Sequence, residues 1–216
     1  FIEAVETLAS RAGLEVPREI NPQQTQQHSL NKGLYEVLEK ANQHYQQQLR
    51  QAVDKERAVT YLKGRGLSGQ IAKHFQLGYA PPGWNALLNN ESLSEHKAEQ
   101  LVEAGLTIAK NEQGTLDKSL QYDRFRDRII FPIRDSRGRC MAFGGRVLGD
   151  DKPKYLNSPE SPVFSKGKEL YGFYEAKQSN NKLNKVIVVE GYMDVIALAQ
   201  MGVINAVATL GTAIGS

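Results

Sequence analysis

Two carboxylates near the end of the chain occupy the place where chemistry is easiest to build. Glu190 and Asp194 are the only acidic residues from position 186 onward, and they follow a continuous β-branched run, Val186-Ile187-Val188-Val189. That run predicts a strand buried on both faces. An apolar helix is expected from about Met193 to Gly202, and a second strand at Ala206-Val207-Ala208. The result is a β-α-β unit, whose ligands gather at the carboxyl ends of its strands. An acidic side chain there repels phosphates unless a metal ion lies between them, so magnesium-dependent phosphate chemistry is the functional reading of Glu190. Gly191 leaves room for a metal or substrate to approach the backbone. A surface carboxylate at a strand end, and a first-turn helix charge at Asp194, are the plainer readings of the same residues.

The partner for such chemistry is a basic block upstream. Residues 118–154 carry a net charge of +5, whereas residues 1–117 and 186–216 each carry −2 and the whole chain +3. The block contains Tyr122-Asp123-Arg124-Phe125-Arg126-Asp127-Arg128, then Phe143-Gly144-Gly145-Arg146, then Lys154-Tyr155-Leu156-Asn157. Arginines interleaved with aromatic rings suit a single-stranded nucleic acid: guanidinium groups hold phosphates while rings stack on bases. If the segment is extended, Arg124, Arg126 and Arg128 fall on one face. Gly144-Gly145 permits a close backbone approach or a bulge beside Arg146. A solvated hairpin surface would show the same charge counts.

Other phosphate and metal motifs are excluded. No G-x-G-x-x-G follows the strand at 186–189. The stretch 162–169 ends in Gly167-Lys168, but Pro162 stands where a P-loop needs glycine and Glu169 where it needs Ser or Thr. One cysteine, Cys140, and four scattered histidines make neither a disulfide nor a cysteine-rich zinc site.

The elements that must position these residues change character along the chain. Residues 1–13 are expected to form a short helix, and 15–29, with Pro17, Pro22 and four glutamines, a linker. Leu34, Val37, Leu38, Ala41, Tyr45 and Leu49 recur at helical spacing over about 30–52. A helical hairpin follows, with one helix stopped by Gly64-Arg65-Gly66 and the next N-capped by Ser68 and running through Phe75. Residues 78–84 read as a rigid turn ahead of a short helix, and 94–104 as a helix opened by Ser94 and closed by Gly105. Strands are expected at 106–109, 128–133 and 139–147, the last two joined by the turn Asp135-Ser136-Arg137-Gly138. No fixed-period repeat is present. The fold class is therefore α/β: a mixed α+β part, helical to about residue 105 and sheet-rich to about 150, then a β-α-β unit. With a single cysteine and no apolar run of membrane-spanning length, the expected location is cytoplasmic. The opening Phe1-Ile2-Glu3-Ala4 reads as the middle of a longer protein.

Taken together, Gly78-Tyr79-Ala80-Pro81-Pro82-Gly83-Trp84, Asp123 to Arg139, Phe143 to Arg146, Lys154 to Pro159, Lys166-Gly167 and Glu190 to Val195 resemble the bacterial replicative primase of the DnaG type. The order and spacing agree over nearly the whole chain, and the last string opens the Toprim fold shared with topoisomerases. The resemblance implies a linker at 1–24 after a zinc-binding domain, an N-terminal basic subdomain of the catalytic core at 25–182, and the start of a Toprim domain at 183–216. The implied activity is a DNA-dependent RNA polymerase that makes short primers on single-stranded DNA from ribonucleoside triphosphates.

By the same resemblance, Glu190 is a Mg2+ ligand and acid/base group, and Asp194 the second acidic position of the motif. Arg124, Arg126, Arg146, Lys154, Tyr155, Asn157 and Lys166 match residues that hold template and nucleotide. The family's Asp-x-Asp magnesium pair is expected beyond residue 216, so Glu190 alone cannot complete the metal site and the fragment is expected to be inactive. Zn2+ is expected only in the preceding domain, and a replicative helicase only as partner of a C-terminal one; no membrane is implied. Residues Ala213 to Ser216 depart from the Thr-rich family pattern. A Toprim nuclease or topoisomerase would share Glu190, and a non-catalytic single-strand-binding module would share the basic block.

Overall fold

The structure, a computed structural model, describes residues 22–179 and 183–211, with side chains from Ser29 onward. The helix expected at 1–13 and the tail from Ala213 lie outside the described residues. Residues 1–32 and 33–216 form separate compact units, and only the helical residues 22–32 of the first are described.

Helix α1 (Pro22–Gln51) starts eight residues earlier than the sequence suggests, so 22–29 is helix and not linker. Proline is well placed at a first helical position, and the glutamines behind it are good helix formers. The expected apolar stripe is the buried one: Leu34, Val37, Leu38, Ala41 and Tyr45 are all sequestered. Helix α2 (Lys55–Gly64) ends as expected, with Gly66 at φ +76 and its N–H and that of Leu67 returning to Lys63 and Leu62 carbonyls. Helix α3 (Gly69–His74) is capped by Ser68, whose Oγ accepts the Ile71 N–H at 3.2 Å.

Two further expectations in the helical half fail. Gly78–Ala80 is strand β1, fully buried and paired with a central strand, where a turn was expected. Three residues are too few to show alternation, and only Gly fits at 78, where a Cβ would stand 2.5 Å from that of Tyr45. The helix expected from Ser94 begins later, as α4 (Ala98–Glu103). Ser94 instead closes a 3-10 turn, donating its hydroxyl to the Glu91 carbonyl, while Gln100 accepts the Lys97 N–H at 3.1 Å to open α4.

Strands β2 (Thr107–Ala109) and β3 (Gln121–Asp123) form an antiparallel ribbon. Strands β4 (Arg128–Arg134) and β5 (Cys140–Val147) form the expected hairpin, with Asp135 accepting the N–H groups of Arg137 and Arg139 in its turn. Adding β6 (Tyr155–Asn157) gives an antiparallel sheet of order β1-β4-β5-β6. Then come β7 (Leu170–Tyr171), α5 (Phe173–Ser179), β8 (Ile187–Val189), α6 (Tyr192–Gln200) and β9 (Ala206–Thr209). Strands β8 and β9 are parallel and joined through α6, and β7 runs antiparallel on the far edge of β9. The mixed α+β part followed by a β-α-β unit is therefore observed.

The antiparallel sheet has a core on each face. Ile129, Phe131 and Ile133 pack with Tyr171, Tyr192 and Ile196, whereas Ile130 and Phe143 pack with the stripe of α1. The β-branched run before Glu190 is the opposite case. It was expected to be buried on both faces, but β8 is an edge strand in the described residues and Val188 is 59% exposed. A β-branched run specifies extended backbone, and what covers it is a separate matter. No helix among the described residues is long and apolar enough to cross a membrane.

Candidate functional site

Strand β8 ends at Val189 and the chain turns through Glu190 and Gly191 into α6, so Glu190 projects at the carboxyl end of a parallel strand. Its carboxylate is exposed and has no hydrogen-bond or ion-pair partner among the described residues. Asp194 is different. It occupies the third position of α6 and accepts the Gly191 N–H at 3.2 Å, closing the first turn of the helix. Both carboxylates line an open cleft together with Tyr155, Asn157 and Thr209.

The opposite wall of the cleft is held rigidly. Asn157 donates from Nδ2 to the Leu210 carbonyl at 2.8 Å and accepts at Oδ1 from the Tyr192 hydroxyl at 2.6 Å. Tyr192 stacks on Phe131, with ring centroids 5.2 Å apart, and meets Tyr171 edge-on at 4.7 Å. Gly144 makes that stack possible, because a Cβ there would lie 2.5 Å from the Tyr192 ring. The close approach expected at Gly144-Gly145 is thus made by Tyr192 and Phe125 of the protein itself, and the register shift of the hairpin lies at Ile133/Arg134.

The arginines do not share one face. The chain leaves β3 at Asp123 and passes Asp127 at φ +48, which breaks the alternation. Arg124 donates from Nε and Nη2 to the Asn157 carbonyl, at 3.3 and 3.0 Å, so it braces the cleft wall. Arg126 lies over two rings, 4.4 Å from the Trp84 centroid and 5.3 Å from that of Tyr122. Arg128 is buried at 6% exposure and donates to the Pro153 carbonyl at 2.9 Å. Burial first, and Arg126's charge second, pull its pKa below the usual guanidinium range.

Much of the +5 block is bound internally in the same way. Arg134 forms a buried pair with Glu175 at 2.6 Å, Arg139 pairs with Asp135, and Lys118 donates to the carbonyls of Leu93 and Ser94.

Arg146 lies 4.3 Å over the Tyr61 ring and 6.0 Å from that of Tyr155, and its Nε is buried without a hydrogen-bond partner among the described residues. Tyr155 is half exposed at the cleft, linking Arg146 to the acidic corner. Lys154 is exposed, and Lys166 uses its backbone N–H on Glu160; neither side chain lines the cleft. Three rings were missed in the sequence. Tyr61 falls there within the helix stopped by Gly64-Arg65-Gly66, Trp84 in the turn at 78–84, and Tyr122 in the basic block. A signal for Trp84 existed: Pro81-Pro82-Gly83 ahead of it marks a turn, turns run over the surface, and Trp84 is 64% exposed.

A hard divalent cation requires oxygen ligands, and an unpartnered carboxylate at a strand end supplies one. Glu190 fits that role. Among the described residues no three His, Cys, Asp or Glu side chains converge as a metal site, so Glu190 and Asp194 are at most part of one.

A strand–Glu–Gly–helix corner of a β-α-β unit, opening into a cleft beside Tyr155 and Asn157, is an arrangement of the Toprim class. The family profiles agree with that class and sharpen it. Residues 184–216 match the Toprim domain, and residues 44–177 match the DNA primase catalytic core, N-terminal domain. The chain belongs to the DNA primase family. It is 58% identical over 214 residues to the DNA primase of Pseudomonas putida and 49% identical to that of Escherichia coli K12, covering 99% and 98% of this chain. It spans only 32% and 36% of those proteins.

Among solved structures, it resembles a DnaG primase catalytic domain bound to ssDNA, with TM-score 0.78 and 48% identity over 86% of this chain and 56% of that one. It also resembles a DNA primase domain from Pseudomonas aeruginosa, with TM-score 0.74 and 58% identity over 83% of this chain and 55% of that one. The Aquifex aeolicus primase, solved with its zinc-binding and RNA polymerase domains, matches 99% of this chain and 49% of its own at TM-score 0.74 and 35% identity.

Proposed function

We propose that this chain is the template-holding part, and the first corner of the metal site, of a DNA primase that synthesises short RNA on single-stranded DNA from ribonucleoside triphosphates. The observation that carries the proposal is the Glu190 carboxylate at a strand end, without a partner among the described residues, in a cleft whose edge continues through Tyr155 to Arg146. A relative of nearly half-identical sequence was solved with single-stranded DNA bound, which supports the choice of partner. Bound magnesium would neutralise triphosphate charge and polarise the reacting phosphate. Glu190 would supply one of its ligands, and Asp194 holds the turn that aims Glu190.

The remaining residues act on the polyanions. Arg146, backed by Tyr61, presents a fixed cation beside the cleft, and Lys154 and Lys166 add mobile charge around it. Tyr155 offers a ring to a base at the cleft mouth, while Asn157 and Arg124 keep the wall in place. Trp84 with Arg126 forms a second stacking platform for the template. Domain boundaries near residue 183, a cytoplasmic location and a helicase partner for another part of the protein belong to the same reading.

The test is synthesis by the full-length protein on a single-stranded template with ribonucleoside triphosphates and Mg2+. Short, ribonuclease-sensitive products complementary to the template are expected, and none in a chelator. Cleavage or relaxation of the DNA without RNA products would place the protein with the Toprim nucleases or topoisomerases and overturn the proposal.

A further inference from the structure

We propose that Asp123 is a positioning residue for template binding: its carboxylate clasps the turn that carries Trp84 and so holds the Trp84 ring against the Arg126 guanidinium as one platform. The proposal rests on the nucleic-acid reading of that surface.

Every polar group of Asp123 is engaged by one half of the platform or the other. The carboxylate accepts the Leu87 N–H at 2.7 Å on Oδ2 and the Leu88 N–H at 3.1 Å on Oδ1. Its own N–H donates to the Trp84 carbonyl at 2.7 Å, and its carbonyl accepts from Arg126 Nη1. The residue is 1% exposed, whereas the Trp84 ring it serves is 64% exposed. Residues 81–90 contain no helix or strand that would otherwise satisfy their N–H groups. Leu87 is buried beside the clasp and anchors the turn from below. The ring itself touches Tyr122 edge-on at 5.4 Å and lies under Arg126, so its orientation depends on the turn and on those two side chains.

A carboxylate is a costly group to bury, and a neutral side chain would fill the space with less desolvation. Two oxygens that take two successive N–H groups, next to a guanidinium, are what a carboxylate offers in return. Burial is the larger influence on its acidity and pushes the pKa up to about 6, against the lowering effect of the Leu87 and Leu88 N–H groups and of Arg126. Tyr45 also faces it, with a buried hydroxyl that has no hydrogen-bond partner among the described residues.

The sign of the pH effect follows. The folded pKa lies above the ordinary 3.8, so the fold gains stability as pH falls through the interval between the two values. Protonation also occupies one of the two accepting oxygens, so the clasp weakens over the same interval. Stability and template affinity should therefore move in opposite directions, which a residue serving the fold alone would not produce.

The experiment uses the full-length protein and a fluorescently labelled oligonucleotide read by anisotropy. Trp84→Ala should weaken binding roughly fivefold or more, the loss expected for one stacked base. Asp123→Asn, which keeps the shape, should weaken it comparably, and the double variant should be no weaker than the weaker single one. Subtracting the emission of matched Trp84→Phe proteins isolates Trp84, whose quenching by acrylamide should rise in Asp123→Asn. Lowering the pH from 7 to 5 should cost the parent affinity relative to Asp123→Asn. Additive losses in the double variant, unchanged quenching, or parallel pH profiles would overturn the role of Asp123. If Trp84→Ala and Arg126→Ala both bind like the parent at every salt concentration, the nucleic-acid reading of this surface fails, and the platform with it, whatever the quenching shows.

Discussion

Arg126 and Arg128 in the basic segment, and Glu190 and Asp194 in the acidic corner, are like charges two and four residues apart, and in each pair the protein uses one member for its own fold and leaves the other outward. Arg128 is buried against the Pro153 carbonyl, while Arg126 lies on the exposed rings of Trp84 and Tyr122. Asp194 closes the first turn of α6, while Glu190 has no partner among the described residues. The difference within each pair separates structural charge from charge available to a ligand. Substituting the two members of a pair should therefore move different measurements.

Glu190→Gln should have the largest effect. Primer synthesis by the full-length protein should fall by orders of magnitude, because a ligand charge is lost at the reacting centre. The unfolding midpoint should not move, since no described residue bonds to that carboxylate. Retained synthesis, or a lowered midpoint, would break the contrast with Asp194. Arg128→Ala should come next and act on stability. It strips a donor from buried carbonyls and removes packing beside Gly145, so a loss of roughly 2 kcal/mol is expected in denaturant unfolding. A variant as stable as the parent would mean that Arg128 is a surface charge after all.

These pairs also mark the limit of what the sequence discloses. The strand–turn–helix of the acidic corner was legible because β-branched run, Glu-Gly and apolar helix are contiguous, and the corner's geometry is local. The hairpin β4–β5 was legible for the same reason. The arginines were not, because their fates depend on residues far away in the chain: Pro153 for Arg128, Glu175 for Arg134, Tyr61 for Arg146. Charge counting over 118–154 thus overstated the ligand-facing surface. Strand β1 was missed because its pairing with β4 spans fifty residues, and the exposure of β8 was missed because a β-branched run says nothing about its covering. Asp123 went unremarked as one acid within a basic string, although its position two residues past Gln121 in a short ribbon fixes the Trp84 turn.

Asp194→Ala should give a smaller effect, on stability first. Loss of the Gly191 contact and of a negative charge at the start of α6 is worth roughly 0.5–1 kcal/mol. Any fall in primer synthesis should be partial and accompany that loss, because Asp194 acts through the turn that holds Glu190. Abolished synthesis at an unchanged midpoint would instead make Asp194 a ligand in its own right.

Arg126→Ala should give the smallest change, and only in binding. The guanidinium rests on exposed rings and, among the described residues, bonds to the Asp123 carbonyl, so its removal uncovers little and should leave the midpoint within about 0.5 kcal/mol of the parent. If it holds a template phosphate, the slope of log affinity against log salt should flatten by up to roughly 0.7, the value for one phosphate of a single strand. Arg128→Ala, measured where the protein remains folded, should leave that slope unchanged, since its charge is directed at backbone carbonyls. The comparison is a salt titration of anisotropy for parent and both variants. Equal flattening in the two would show that the slope reports net charge and not position, and the division between structural and ligand-facing arginines would fall. Arg126→Lys sharpens the same test: it keeps the charge and the salt slope but loses the planar stack on Trp84, so affinity should drop without flattening.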